Sequence, residues 1–263
     1  MSPAHAALPH DEAGSGPPVV LLHAGIADRR MGSEHLDPLA QAKLRVVALD
    51  LPGFGEAPPA AGEDAPWNDV IATLEELEIE RATLVGNSFG GAVALRVAAV
   101  APRRVEGMVL VSAAVPGVEP SAALRSAWGA EEDALESGDL EGATQAVLEH
   151  WLPPDAPDEV RARIEEMQRR AFELQLAGEE APEAEDPLEE GLAPLAANPT
   201  PTLALVGERD MEDFHAGAEL LTQVLPEVHR VVVPGVAHLA PLEAPEAFRE
   251  LVLGFVARAR AAG

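Results

Sequence analysis

Ala82-Thr83-Leu84-Val85-Gly86-Asn87-Ser88-Phe89-Gly90-Gly91-Ala92-Val93-Ala94-Leu95 joins a short apolar run to an alanine-rich one. Thr83, Leu84 and Val85 stop at Gly86, and a run with helical character starts at Gly90. Between them stands Ser88 in the pattern Gly-x-Ser-x-Gly, the layout of a tight strand-to-helix turn that lifts one hydroxyl above a sheet. Such a turn strains its central residue and leaves no room for a side chain two positions to either side, a need that Gly86 and Gly90 meet. The helix that follows would aim unpaired N–H groups and its positive dipole end at the space above Ser88. With glycine and serine each near ~7% of residues, the three fixed positions recur by chance in roughly one chain in ten of this length. The flanking sequence has to decide.

Upstream, Pro17-Pro18 launches Val19-Val20-Leu21-Leu22, an unbroken apolar run of the kind found in a strand covered on both faces. Arg45-Val46-Val47-Ala48-Leu49-Asp50 reads as the next strand, closed by the turn-rich Leu51-Pro52-Gly53-Phe54-Gly55. Val70, Ile71, Leu74 and Leu77 mark a helix before the elbow. Residues 107–112 give a further buried strand, and so do residues 202–207 and 229–233, with a helix near 216–224 between the last two. A closing amphipathic helix carries Phe248, Leu251, Val252, Phe255 and Val256. Strands alternating with helices imply an α/β fold, a mostly parallel sheet with helices on both faces. Residues 1–16 read as polar and turn-forming, with His5 and His10 in solvent and no strand among them.

The alternation breaks at about Val115. Residues 116–196 show helical patterns only, with Val160, Ile164, Met167, Ala171 and Leu174 on one stripe behind Asp158 as an expected N-cap. This stretch holds 21 acidic residues and five arginines and so carries most of the net charge of −27. Residues 179–190 read as an exposed, mobile connector. The expected organisation is a core of residues 1–114 and 197–263, interrupted by a helical lid over 115–196.

Composition narrows the partners. The acidic balance argues against nucleic acid and anionic membrane surfaces, both of which need a basic patch. No apolar run is long enough for a membrane span and the start lacks a secretory signal pattern, so a cytoplasmic location is expected. The lack of cysteine removes disulfides and thiolate chemistry. Histidines are scattered without ligand spacing, so neither a metal nor another cofactor is expected.

Ser88, Asp210 and His238 each fall just past a strand end, where open parallel sheets bind ligands. A serine hydroxyl becomes a useful nucleophile when a base takes its proton; an imidazole can do so and later return it. A carboxylate fixes the tautomer of that imidazole, and backbone N–H groups must meet the oxyanion. Asp213 is the nearest competitor for the carboxylate and Glu208 a weaker one. Phe89 supplies one expected N–H and Gly25 the other, with Ile26 beside it. His23 is expected to brace the loop that holds Gly25, Asp50 to pin the loop behind it, and Asn87 to support the turn.

Leu21-Leu22-His23-Ala24-Gly25-Ile26, Asp50-Leu51-Pro52-Gly53-Phe54-Gly55, Gly86-Asn87-Ser88-Phe89-Gly90-Gly91, Gly207-Glu208-Arg209-Asp210 and Ala237-His238-Leu239-Ala240-Pro241-Leu242-Glu243 follow in this order. Together they resemble the α/β-hydrolase-fold serine hydrolases of the bacterial esterase and meta-cleavage-product hydrolase type, from about Pro17 to Phe255 outside the insertion. The resemblance implies Ser88 as nucleophile, Asp210 as acid, His238 as base and the insertion as a lid that sets specificity. The sequence departs from that pattern at Ala24 and Ala237, which stand for common glycines, and at Gly32, where a tryptophan is frequent. Leu239 replaces the tryptophan by which carbon–carbon-bond hydrolases resemble one another. The reading is therefore a cofactor-independent serine esterase of small, neutral, apolar substrates, with monomer and homodimer both open. A hydrolase of carbon–carbon bonds in dienoates or of enol-lactones is the alternative enzyme, for which Arg125, Arg161 or Arg163 would meet the anion. A hydrolase-fold binding protein with little turnover is the alternative from another class.

Overall fold

The computed structural model describes residues 7–60, 62–178 and 181–262. Seven strands form one sheet: β1 (His10–Gly14), β2 (Pro18–Leu22), β3 (Arg45–Leu49), β4 (Ala82–Asn87), β5 (Val105–Val111), β6 (Thr202–Gly207) and β7 (Val228–Val233). Their order is β1-β3-β2-β4-β5-β6-β7, with β1 antiparallel to β3 and every other pair parallel. The apolar runs serve both faces, because successive side chains point to opposite sides. Val20, Leu22, Val47, Leu49, Leu84 and Leu110 join one core, while Val19, Leu21, Val46, Val85, Val109 and Leu205 join the other. Helices α1 (Ser33–Gln41) and α9 (Pro245–Ala262) cover the second face, and α2 (Pro66–Glu76) and α3 (Phe89–Val100) the first. α4 (Ala122–Glu136), α5 (Leu140–Trp151) and α6 (Asp158–Ala177) lie between β5 and β6; α7 (Glu212–Val224) precedes β7, and the short α8 (Ala240–Glu243) follows it. Among the described residues, no helix is long and apolar enough to cross a membrane.

Three expectations change. Residues 10–14 form an edge strand, with His10 opposite Leu49 and Gly14 opposite Arg45. An edge strand needs no apolar face to pair its backbone, and Arg45 steadies it by gripping the Glu12 carboxylate at 3.0 and 2.9 Å. His10 is half-buried, its Nδ1 3.0 Å from the Leu8 carbonyl, whereas His5 lies outside the described residues. Asp158 begins α6 as its first residue; the position before it is Pro157, and no side chain caps that end. The connector is tied down where it is described, Glu179 and Glu180 lying outside those residues. Around a bridge to Glu183, the Asp64 N–H donates to the Pro182 carbonyl and the Asp64 carbonyl accepts from Ala184; Asp186 grips Arg96, and Leu188 is fully buried.

Candidate active site

Ser88 occupies the turn between β4 and α3 at φ 52° and ψ −111°, a left-handed conformation that costs a serine on the order of 1–3 kcal/mol. The surroundings enforce it. The Ser88 N–H donates to the Val111 carbonyl at 2.9 Å, and the Ser88 carbonyl accepts from Ala92 and Ala114 at 3.0 and 3.1 Å. A Cβ on Gly86 would strike the Gly90 carbonyl, and one on Gly90 would strike the carbonyls of Leu22 and His23. Both glycines are therefore dictated by backbone packed against backbone.

His238 and Asp210 meet at the ends of β7 and β6. His238 Nδ1 lies 3.1 and 3.2 Å from the two Asp210 carboxylate oxygens, and both side chains are all but fully buried. A carboxylate only accepts, so Nδ1 carries a proton, and in the neutral ring the lone pair is then on Nε2. Asp213 is engaged elsewhere. It accepts from the Ser121 backbone N–H at 2.6 Å and the Ser121 hydroxyl at 2.7 Å, which ties α7 to the start of α4. Burial alone would raise its carboxyl, but those bonds hold it below the usual range. Glu208 accepts from the Gly235 N–H at 2.8 Å.

His23 bonds in three directions. Its Nδ1–H donates to the Ala24 carbonyl at 2.8 Å, its Nε2 accepts from the Leu51 N–H at 2.9 Å, and its carbonyl accepts from Gly90 at 3.0 Å. Burial holds the ring below the ordinary histidine range, so it stays neutral. This fixes the loop after β2 against both the elbow and the loop after β3. Asp50 pins that last loop by accepting from the Glu56 and Arg29 N–H groups, each at 2.8 Å. Gly25 and Phe89 come together, since a Cβ on Gly25 would lie 3.5 Å from that of Phe89. Neither of their N–H groups has a hydrogen-bond partner among the described residues. Asn87 does more than support its turn: its amide nitrogen donates to the carbonyls of Val111 at 3.1 Å and His238 at 3.2 Å.

Sequence reasoning misses two contributors. Glu243 accepts from the N–H groups on either side of His238, Ala237 at 2.8 Å and Leu239 at 2.7 Å. Trp151, at the end of α5, sets its ring centroid 4.8 Å from that of His238, and Phe214 lies 4.3 Å away on α7. The acidic residue five positions after His238 is a signal for the first; the second pairs residues 87 apart in sequence and leaves no local trace.

Ser88, His238, Gly25, Ile26 and Phe89 all line one cavity of about 490 Å³, roofed by α4 and α5. Arg125, Arg161 and Arg163 do not line it; Arg125 turns to the Pro120 carbonyl, Arg161 to that of Pro153 and Arg163 to that of Arg30. The cation on its wall is Arg96.

Comparisons with known proteins bear on the family and the fold. The family model for the alpha/beta hydrolase family matches residues 19–251. A 2-hydroxymuconate semialdehyde hydrolase of Pseudomonas putida is 28% identical, over 96% of this chain and 91% of that one. A pimeloyl-[acyl-carrier protein] methyl ester esterase of Aeromonas hydrophila is 29% identical, over 92% and 96%. A longer relative shares only a 102-residue segment at 42% identity, and the chain spans 27% of its length. Among solved structures, a thermophilic esterase from Thermogutta terrifontis superposes with a TM-score of 0.76 at 25% identity, covering 96% of this chain and 93% of that one. From the elbow, the sheet order and these matches together, the chain belongs to the alpha/beta hydrolase family.

Proposed function

We propose that the protein is a serine hydrolase that cleaves small, largely apolar, neutral carboxylic esters through an acyl-enzyme. The observation that carries this reading is that His238, paired with Asp210, lines the same cavity as Ser88. Nε2 of His238 takes the Ser88 Oγ proton as Oγ bonds to the ester carbon. The oxygen that becomes negative is met by the N–H groups of Phe89 and Gly25, donors fixed before reaction. His238 then passes its proton to the departing alkoxide, the carbonyl re-forms, and the acyl group stays on Ser88. Water enters by the same steps in reverse roles and releases the acid. Asp210 holds the imidazole tautomer and offsets the charge on the imidazolium. His23 and Ile26 shape the oxyanion loop, and Asn87 ties the elbow to the main chain of His238. The helices of residues 115–196 act as a lid, with Trp151 packed on the base.

Similarity to a 2-hydroxymuconate semialdehyde hydrolase supports the second enzyme reading, cleavage of a carbon–carbon bond in an anionic dienoate. Leu239 and the engagement of Arg96 by Asp186 weigh against it. Hydrolysis of p-nitrophenyl esters tests the proposal. Turnover should fall by at least about a thousandfold in Ser88→Ala, with far-ultraviolet circular dichroism unchanged. Undiminished turnover in that variant sinks the assignment, and absence of turnover in the unaltered protein favours the binding-protein reading.

A further inference from the structure

The cavity wall carries charge, and the charges are not matched. Ser88, Ala92 and Arg96 share one face of α3 at four-residue spacing and all line the cavity. Arg96 thus sits about 12 Å along the helix from Ser88 at ~1.5 Å per residue. α4 lends Leu124, Trp128 and Glu131 to the same cavity, two apolar side chains and one acidic one. Among the described residues, four titratable side chains line this space: His238, Asp213, Arg96 and Glu131. Asp213 is occupied by Ser121. Arg96 is spoken for as well. Its Nε donates to Asp186 at 2.9 Å, its Nη2 to the other oxygen of that carboxylate, and its Nη1 to the Ala92 carbonyl at 3.1 Å, with the guanidinium 5.8 Å from the Trp67 ring. Glu131 has no ion pair or hydrogen bond among the described residues, and burial raises its carboxyl.

We infer that Glu131 is a specificity residue that recognises a cationic group at the far end of the substrate, so that the preferred esters carry an ammonium several bonds from the scissile carbonyl. This rests on the ester reading and adds a substrate class to it. A substrate ammonium would supply the partner that Glu131 lacks, while a substrate carboxylate would meet Glu131 unscreened and an Arg96 already neutralised. The wider field acts in the same direction, because a net charge of −27 draws cations towards the protein.

Three p-nitrophenyl esters of equal length test it: an ω-trimethylammonio-hexanoyl ester, its uncharged tert-butyl isostere, and the hydrogen pimelate ester. At low salt, kcat/KM should be roughly tenfold higher for the cationic than for the anionic ester, and the gap should narrow at high salt. In Glu131→Gln the cationic-to-neutral ratio should fall about three- to tenfold. Glu132→Gln, which removes the same charge from an exposed neighbour on α4, should leave that ratio intact. A preference for the anionic ester, or a ratio unmoved by Glu131→Gln, overturns the inference. Calorimetric binding of hexyltrimethylammonium to the Ser88→Ala protein separates this from the ester reading. Its Kd should weaken three- to tenfold when Glu131→Gln is added, and an unchanged Kd overturns the role of Glu131 whatever the esters do.

Discussion

At the residue scale, the site depends on atoms that leave no room for alternatives. Gly90 is the sharpest case. An added methyl would meet two backbone carbonyls of the adjoining strand and loop, which cannot move without displacing the loop after β2. Gly90→Ala should therefore cost about 1–3 kcal/mol in urea unfolding and remove most ester turnover. Glu243 works by a different route, since both its oxygens accept from the N–H groups that bracket His238. Glu243→Gln turns one acceptor into a donor facing another donor, and should lower kcat about tenfold with KM little changed. Asp210 and Asp213 stand three residues apart beyond β6, so the sequence ranks Asp210 first only by its place at the strand end and by resemblance. Which carboxylate reaches the imidazole depends on the first turn of α7, whose rotation carries Asp213 to Ser121.

At the scale of elements, strands covered on both faces are readable because a continuous apolar run has no other good use in a folded chain. β1 escapes that signal, since polar His10, Asp11 and Glu12 suffice where only the backbone need pair. The connector misleads for a related reason: its composition is that of a mobile segment, but Asp186 pairs with the half-buried Arg96 and Leu188 is itself buried in the core. Helix ties of this kind depend on pH. His35 on α1 sits 3.0 Å from the Pro241 carbonyl on α8 through Nε2, and Arg249 of α9 lies 3.4 Å from Nδ1. Burial first, and then the Arg249 charge, push this imidazole down to about 4. The folded state thus prefers neutral His35. Its contribution is complete above the unfolded value near ~6.5 and is lost as pH falls from there towards 4, by at most about 3 kcal/mol. Urea unfolding at neutral pH and at about pH 4.5 should show the loss, and His35→Gln should flatten that part of the profile. Equal profiles for both proteins would contradict it.

At the scale of the whole molecule, 45 acidic residues face 18 basic ones. Most arginines already hold one carboxylate or more, so the remaining negative charge is uncompensated and repels itself. The unfolding temperature should rise when sodium chloride is raised from about 0.01 to 0.5 M, because the Debye length shrinks from ~30 Å to a few ångströms. A flat or falling trend would mean that surface ion pairs outweigh the repulsion. Charge says little about chemistry, however. On the proposed reading, that is carried by a strained serine, an imidazole that shares its cavity and the carboxylate paired with that imidazole. Fluorophosphonate labelling read by peptide mass spectrometry tests their union most directly. A single adduct on Ser88, absent in Ser88→Ala and formed far more slowly in His238→Ala, is the expected result. An adduct on another serine, or labelling of Ser88 at the same rate without His238, would contradict it.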